Sequence, residues 1–191
     1  MKSQRWLKQV IGCTLVVLLL AGCCAPQANV APTSTASPGG GTGSATFTDP
    51  FAYCTAVVNI DTPDARYTGP KTPDVVIKSL RKALKTPDEA PMEWFTAGTF
   101  WRCMGGKVWG CFVGANLPCT TKADTSRTPT AEMVDFCKAN PASDFIPAVV
   151  TGRATVYQWR CTNGAPEIVK QLVQPDAQGF QSNIWYELSP Q

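Results

Sequence analysis

The chain has 191 residues, enough for one core plus a tail, with 17 Lys and Arg against 14 Asp and Glu and no histidine. Its surplus of +3 comes from Lys2, Arg5 and Lys8, and the remainder, with 14 charges of each sign, lacks the concentrated basic surface that nucleic acid requires. Without histidine no Ser-His-Asp or Cys-His site can be assembled, and with no Cys-x-x-Cys pair in the folded part a zinc site is disfavoured. No metal or cofactor is therefore expected.

Lys2, Arg5 and Lys8 are followed by an apolar run over residues 10–20 and then by small residues, the order of an export signal. The run is shorter than the roughly 18 apolar residues wanted for a bilayer span. Leu20-Ala21-Gly22-Cys23 resembles the lipobox of bacterial lipoproteins. The resemblance implies that residues 1–22 are a signal peptide cut off after Gly22 and that a diacylglyceryl group is attached to the Cys23 thiol. It also implies a membrane-anchored, extracytoplasmic protein, on the outer face of the cytoplasmic membrane or, where the host has one, in the periplasm or outer membrane. Residues 23–46 carry that cysteine and a stretch of Pro, Ser, Thr, Ala and Gly that cannot bury enough surface to offset its ordering entropy. They read as a flexible tether with a mean span of about 25 Å.

Residues 47–191 read as one disulfide-bonded domain. Asp49-Pro50 supplies an N-cap and a proline at the first helical position, predicting a helix over residues 50–59. A second helix is predicted over 73–85, with Thr72 as cap and Val76, Leu80, Ala83 and Leu84 as its buried stripe. Lys78, Arg81, Lys82 and Lys85 share the other side. The plain account of that side is a solvated face. The sharper one is a patch for anionic lipid headgroups or wall polymers.

Trp-Arg-Cys occurs twice, each time running into a glycine turn: Trp101-Arg102-Cys103 before Gly105-Gly106, and Trp159-Arg160-Cys161 before Asn163-Gly164. Both turns suit two-residue hairpins. The first register places Cys103 opposite Val108 and Arg102 opposite Trp109, where a cation–π pair is expected; the second places Arg160 opposite Glu167 and Trp159 opposite Ile168. Alternation sends Trp and Cys to the core face and Arg to the other. A third helix is expected after Thr128-Pro129, ending near Asn140, with Met133, Phe136 and Cys137 inward. Strands are expected over 154–161, 167–173 and 182–188, with a turn at Asp176-Ala177-Gln178-Gly179 between the last two. The sum is an α+β domain: an antiparallel sheet of about five strands, from two hairpins plus a C-terminal strand, with about three short helices.

Six cysteines, Cys54, Cys103, Cys111, Cys119, Cys137 and Cys161, form an even set that reads as three disulfides with 15 connectivities. The first hairpin register puts Cys103 and Cys111 on opposite faces and forbids their bridge. Cys119 is assigned to Cys137, a link that would staple the polar loop of residues 114–127 to the helix it feeds. Phe-Trp-Arg-Cys at 100–103, Gly-Ala-Asn-Leu-Pro-Cys at 114–119 and Trp-Tyr-Glu-Leu at 185–188 resemble an uncharacterised group of exported bacterial proteins. That resemblance carries no activity.

No catalytic residue is singled out. Asp135, Asp144, Asp176 and Glu187 would support hydrolysis only by meeting in space. The aromatic residues are mostly core material, with Trp109 and Trp185 as the ligand-facing exceptions because they fall opposite the assigned core faces. The expected function is a binding or interaction module at the cell envelope, its partner an envelope protein or a glycan. The alternatives are a structural component without a small ligand, an inhibitor of a wall-degrading enzyme and, behind these, a hydrolase. A deep pocket with two carboxylates would favour the last.

Overall fold

The computed structural model describes residues 45–87, 89–114 and 116–190; Cys23, the signal segment and all but the last two residues of the tether lie outside them. The chain runs through α1 (Pro50–Val57), α2 (Asp74–Ala83), α3 (Met92–Gly98), β1 (Thr99–Met104), β2 (Lys107–Phe112), α4 (Ala131–Ala139), α5 (Ala148–Thr151), β3 (Tyr157–Thr162), β4 (Ala165–Gln171) and β5 (Tyr186–Leu188). A 3-10 turn at Ser182–Ile184 precedes β5. The class is α+β, as expected. The strands, however, divide into two antiparallel sheets, β1-β2-β5 and β3-β4, instead of forming one.

The helix ends show how local chemistry sets the elements. The Asp49 carboxylate accepts the Phe51 and Ala52 N–H groups at 3.4 and 2.9 Å, so α1 starts at Pro50. It stops at Val57, short of Asn59, because Val58 turns to φ 65°. At α2 the N-cap is Pro73, with no side-chain bond, and Thr72 does not cap. At α4 the cap is Thr130, two residues after Thr128, its hydroxyl accepting the Met133 N–H at 3.3 Å. The short helices α3 and α5 follow Pro91 and Pro147 without a side-chain cap, so no Ser, Thr, Asp or Asn marks their starts.

Both hairpins take the expected register: Cys103 faces Val108, Arg102 faces Trp109, Trp159 faces Ile168 and Arg160 faces Glu167. Their turns rest on positive φ at Gly105 and Gly106 (62° and 76°) and at Asn163 and Gly164 (52° and 78°). One edge of the second hairpin is already in use. Ile146 N–H donates to the Trp159 carbonyl and Cys161 N–H to that of Ser143, both at 2.8 Å, so residues 143–146 cover β3 on the side away from β4.

Three clusters make most of the interior of the described residues. On one face of the first sheet Trp101, Cys103, Val108 and Leu188 pack against Tyr53 and Cys54 of α1 and Val76 and Leu80 of α2. The Trp101 indole N–H is satisfied there by the Lys71 carbonyl at 2.8 Å. Gly110 permits this closeness: a Cβ at that position would stand 2.9 Å from Leu188 Cδ1. The opposite face is also buried, with Cys111 packed among Cys119, Phe180, Ile184 and Trp185. The third cluster joins Met133 and Cys137 of α4 to Tyr157, Trp159 and Cys161 of β3.

The disulfides are Cys54–Cys103, Cys111–Cys119 and Cys137–Cys161. Cys103 and Cys111 are unlinked, as the register requires. The Cys119–Cys137 link is not formed: Cys119 belongs to the cluster behind the first sheet and Cys137 to the cluster under the second.

Candidate functional site

Alternation along β1 sends Trp101 and Cys103 toward α1 and α2 and sends Phe100 and Arg102 to the other face. That second face is roofed by residues 117–122 and 176–185, so Arg102 has no exposed surface. Its guanidinium lies 4.3 Å from the Trp185 ring centroid and 4.5 Å from that of Phe180. It pairs with Asp176 Oδ2 and donates to Gln178 Oε1. The other Asp176 oxygen accepts the Gln178 and Phe180 N–H groups at 2.9 and 3.1 Å, which holds the turn that carries these partners. Burial pushes the Arg102 guanidinium below its ordinary pKa, while the Asp176 charge pulls it back. Nearby, the Lys122 ammonium lies 3.9 Å from the Phe180 ring, pairs with Asp61 and donates to the Gln178 carbonyl at 2.6 Å.

Above this buried charge is a cleft of about 190 Å³ lined by Asp61, Lys71, Phe100, Lys122, Phe180 and Trp185, among others. Two residues at its edge, Thr99 and Trp185, carry buried polar atoms with no hydrogen-bond partner. The cleft is smaller than the roughly 300 Å³ at which sites for drug-sized ligands begin. Its one lining carboxylate, Asp61, is already held by Lys122.

A second concavity, of about 360 Å³, lies where the β3-β4 hairpin meets the loops. Leu117, Phe145, Tyr157, Trp159, Leu172 and Ile184 line it, with the Gln158 and Gln181 amides among them. Its rim carries exposed apolar side chains, Phe145 at 61%, Leu172 at 58% and Leu117, beside the exposed polar residues Asn116, Arg153 and Asn183. The Gln181 amide nitrogen is committed to the Arg153 and Thr155 carbonyls, each at 3.1 Å.

The two tryptophans expected to face a ligand do not form a common surface. Trp185 is buried, at 5% exposure, because the face opposite the α1–α2 core is itself a core. Trp109 is half-buried against the same cluster, and its indole N–H donates to the Met104 carbonyl at 3.2 Å. Arg102 stacks on Phe180 and Trp185, and the expected pairing with Trp109 is not made. The chemical signal for the true partners was the Asp176-x-Gln178-x-Phe180 spacing, legible as a turn but not as a lid over β1.

Lys78, Lys82 and Lys85 are exposed and, with Arg81 and Thr86, line an open concavity of about 510 Å³. Arg81 turns inward, donating to the Met92 sulfur at 2.7 Å and the Pro87 carbonyl at 2.9 Å, with its guanidinium 5.3 Å from the Phe95 ring. The acids considered for hydrolysis stay apart. Asp135 pairs with Lys138, Asp176 with Arg102 and Glu187 with Lys107, and neither these three nor Asp144 lines any of the three concavities. Among the described residues no group of three or more metal-ligating side chains comes together.

Comparison with protein-family models finds no match, and searches of curated proteins and of solved structures find none either.

Proposed function

We propose that the protein is an exported lipoprotein, anchored through Cys23, whose folded unit is a binding module for an envelope protein. One observation carries the binding part: the groove of about 360 Å³ floored by Tyr157 and Trp159 and rimmed by the exposed Leu117, Phe145 and Leu172. Apolar side chains left clustered at a concave surface mark interaction sites more often than chance exposure. A protein segment suits this groove better than a glycan. A sugar would leave the exposed Leu117, Phe145 and Leu172 uncovered, whereas an amphipathic protein segment can cover them and also meet Asn116, Arg153 and Asn183 around the same groove. Hydrolysis has less support, since none of these three concavities holds two carboxylates. Export is supported by three disulfides, which persist in oxidising compartments.

A photoreactive benzoylphenylalanine at Phe145, in the native host, should give a discrete protein adduct that Leu172→Asp removes. The same probe at Thr125 should give none. Equal labelling at both positions, or none at Phe145, would sink the groove assignment. Mass spectrometry of the same material tests the anchor: an unacylated chain beginning at Met1 would remove that half of the proposal.

A further inference from the structure

Helix α2 carries a stripe that the groove does not use. Lys78, Lys82 and Lys85 follow one another at spacings of four and three, opposite the buried Val76 and Leu80. None of the three forms an ion pair among the described residues, although Arg81 between them is drawn inward toward α3.

Lys85 is the informative member. It stands just past the helix end at φ 54°, and the Thr86 N–H closes on the Arg81 carbonyl at 3.0 Å. Glycine is the residue that fits this left-handed position without steric cost. The chain places a lysine there instead, extending the row of ammonium groups by one beyond the helix.

On the adjoining α3, Phe95 is buried beneath Arg81 while Trp94 is 63% exposed. An exposed indole is suited to the boundary between lipid headgroups and acyl chains, where an apolar ring with one polar edge is at home.

We infer that Lys78, Lys82, Lys85 and Trp94 form a second contact with the membrane, made with anionic phospholipid headgroups. The inference rests on the anchored reading of the chain, in which the lipid keeps the folded unit at the bilayer surface. Each lysine near an anionic leaflet is worth roughly a fivefold factor in partitioning. Three together give roughly a hundredfold, enough to orient a unit that the anchor already keeps at the surface. A soluble wall polyanion would meet the lysines equally well but would give the Trp94 ring nothing apolar to enter.

The full acylated chain, reconstituted into vesicles with brominated acyl chains, separates these cases through tryptophan quenching. With phosphatidylglycerol present and low salt, quenching should exceed that in pure phosphatidylcholine. The excess should disappear in Trp94→Phe, in the triple Lys78→Gln, Lys82→Gln, Lys85→Gln variant, and at about 1 M salt, where screening acts within ~3 Å. Equal quenching in both lipids, or an excess that survives Trp94→Phe, would overturn the inference. So would salt-sensitive binding of a soluble polyphosphate without any excess quenching. Loss of the protein from both vesicle types at high salt would instead indict the anchor, a result distinct from anchored protein that is not quenched.

Discussion

The two Trp-Arg-Cys hairpins share a tripeptide, a turn geometry and an inward-facing Trp and Cys, yet their arginines live in different solvents. Arg102 is fully buried between two rings and an ion pair, whereas the Arg160 side chain is 46% exposed beside Glu167. The difference lies in what covers the second face. The three-stranded sheet has helices on one side and a roof of loops on the other, while β3-β4 has α4 on one side and solvent on the other. Identical local sequence therefore fixes which way an arginine points, and the tertiary surroundings decide whether that direction is wet.

Breaking the buried pair should have the largest effect. Asp176→Ala strands a desolvated guanidinium and should cost about 3–5 kcal/mol in chemical denaturation. Replacing both charges, as Arg102→Met with Asp176→Asn, should recover most of that loss, because two neutral groups carry no comparable desolvation penalty. If the double variant is as unstable as the single one, the packing and not the charge is what matters there.

The matching change on the other hairpin, Arg160→Ala, should cost no more than about 1 kcal/mol, with the difference shrinking in salt. A cost like that of Asp176→Ala would show that β3-β4 has a cover on its outer face after all.

The smallest effect is in the pH dependence of the same exposed pair. Hydrogen bonds from Thr162, and then from Arg160, lower the Glu167 pKa. A carboxylate with a lowered folded pKa contributes stability above its unfolded value, about 4.3, and loses it as pH falls through the folded value. The gap between wild type and Glu167→Gln should therefore be present at neutral pH and close below about pH 4; a gap that persists to pH 2 would rule out the ionised pair as its source.

Sequence reasoning reached the parts of this fold written in short-range chemistry. Glycine and asparagine at the turns fixed both registers, and Asp49-Pro50 marked the start of α1. It missed what depends on distant segments. Nothing in β3 announces that residues 143–146 will occupy its edge, and nothing local tells one sheet from the two that exist. Nor does anything near Trp185 announce that the face behind β1 is closed, and a ring expected at a ligand surface proved to be a wall of the Arg102 enclosure. The apolar groove was equally hidden. Leu117, Phe145 and Leu172 are separate loop residues without periodicity, and only the folded chain gathers them.

The order of the crosslinks has a bearing on how the molecule is made. Counted from the amino end, the first of the six bonded cysteines joins the second, the third the fourth and the fifth the sixth. Coupling each newly emerged thiol of these six to the one just before it would reach the native set in a single pass, provided that Cys13, Cys23 and Cys24, which precede Cys54, are kept out of the pairing. Biogenesis then needs a donor of oxidising equivalents but no editing of wrong bonds.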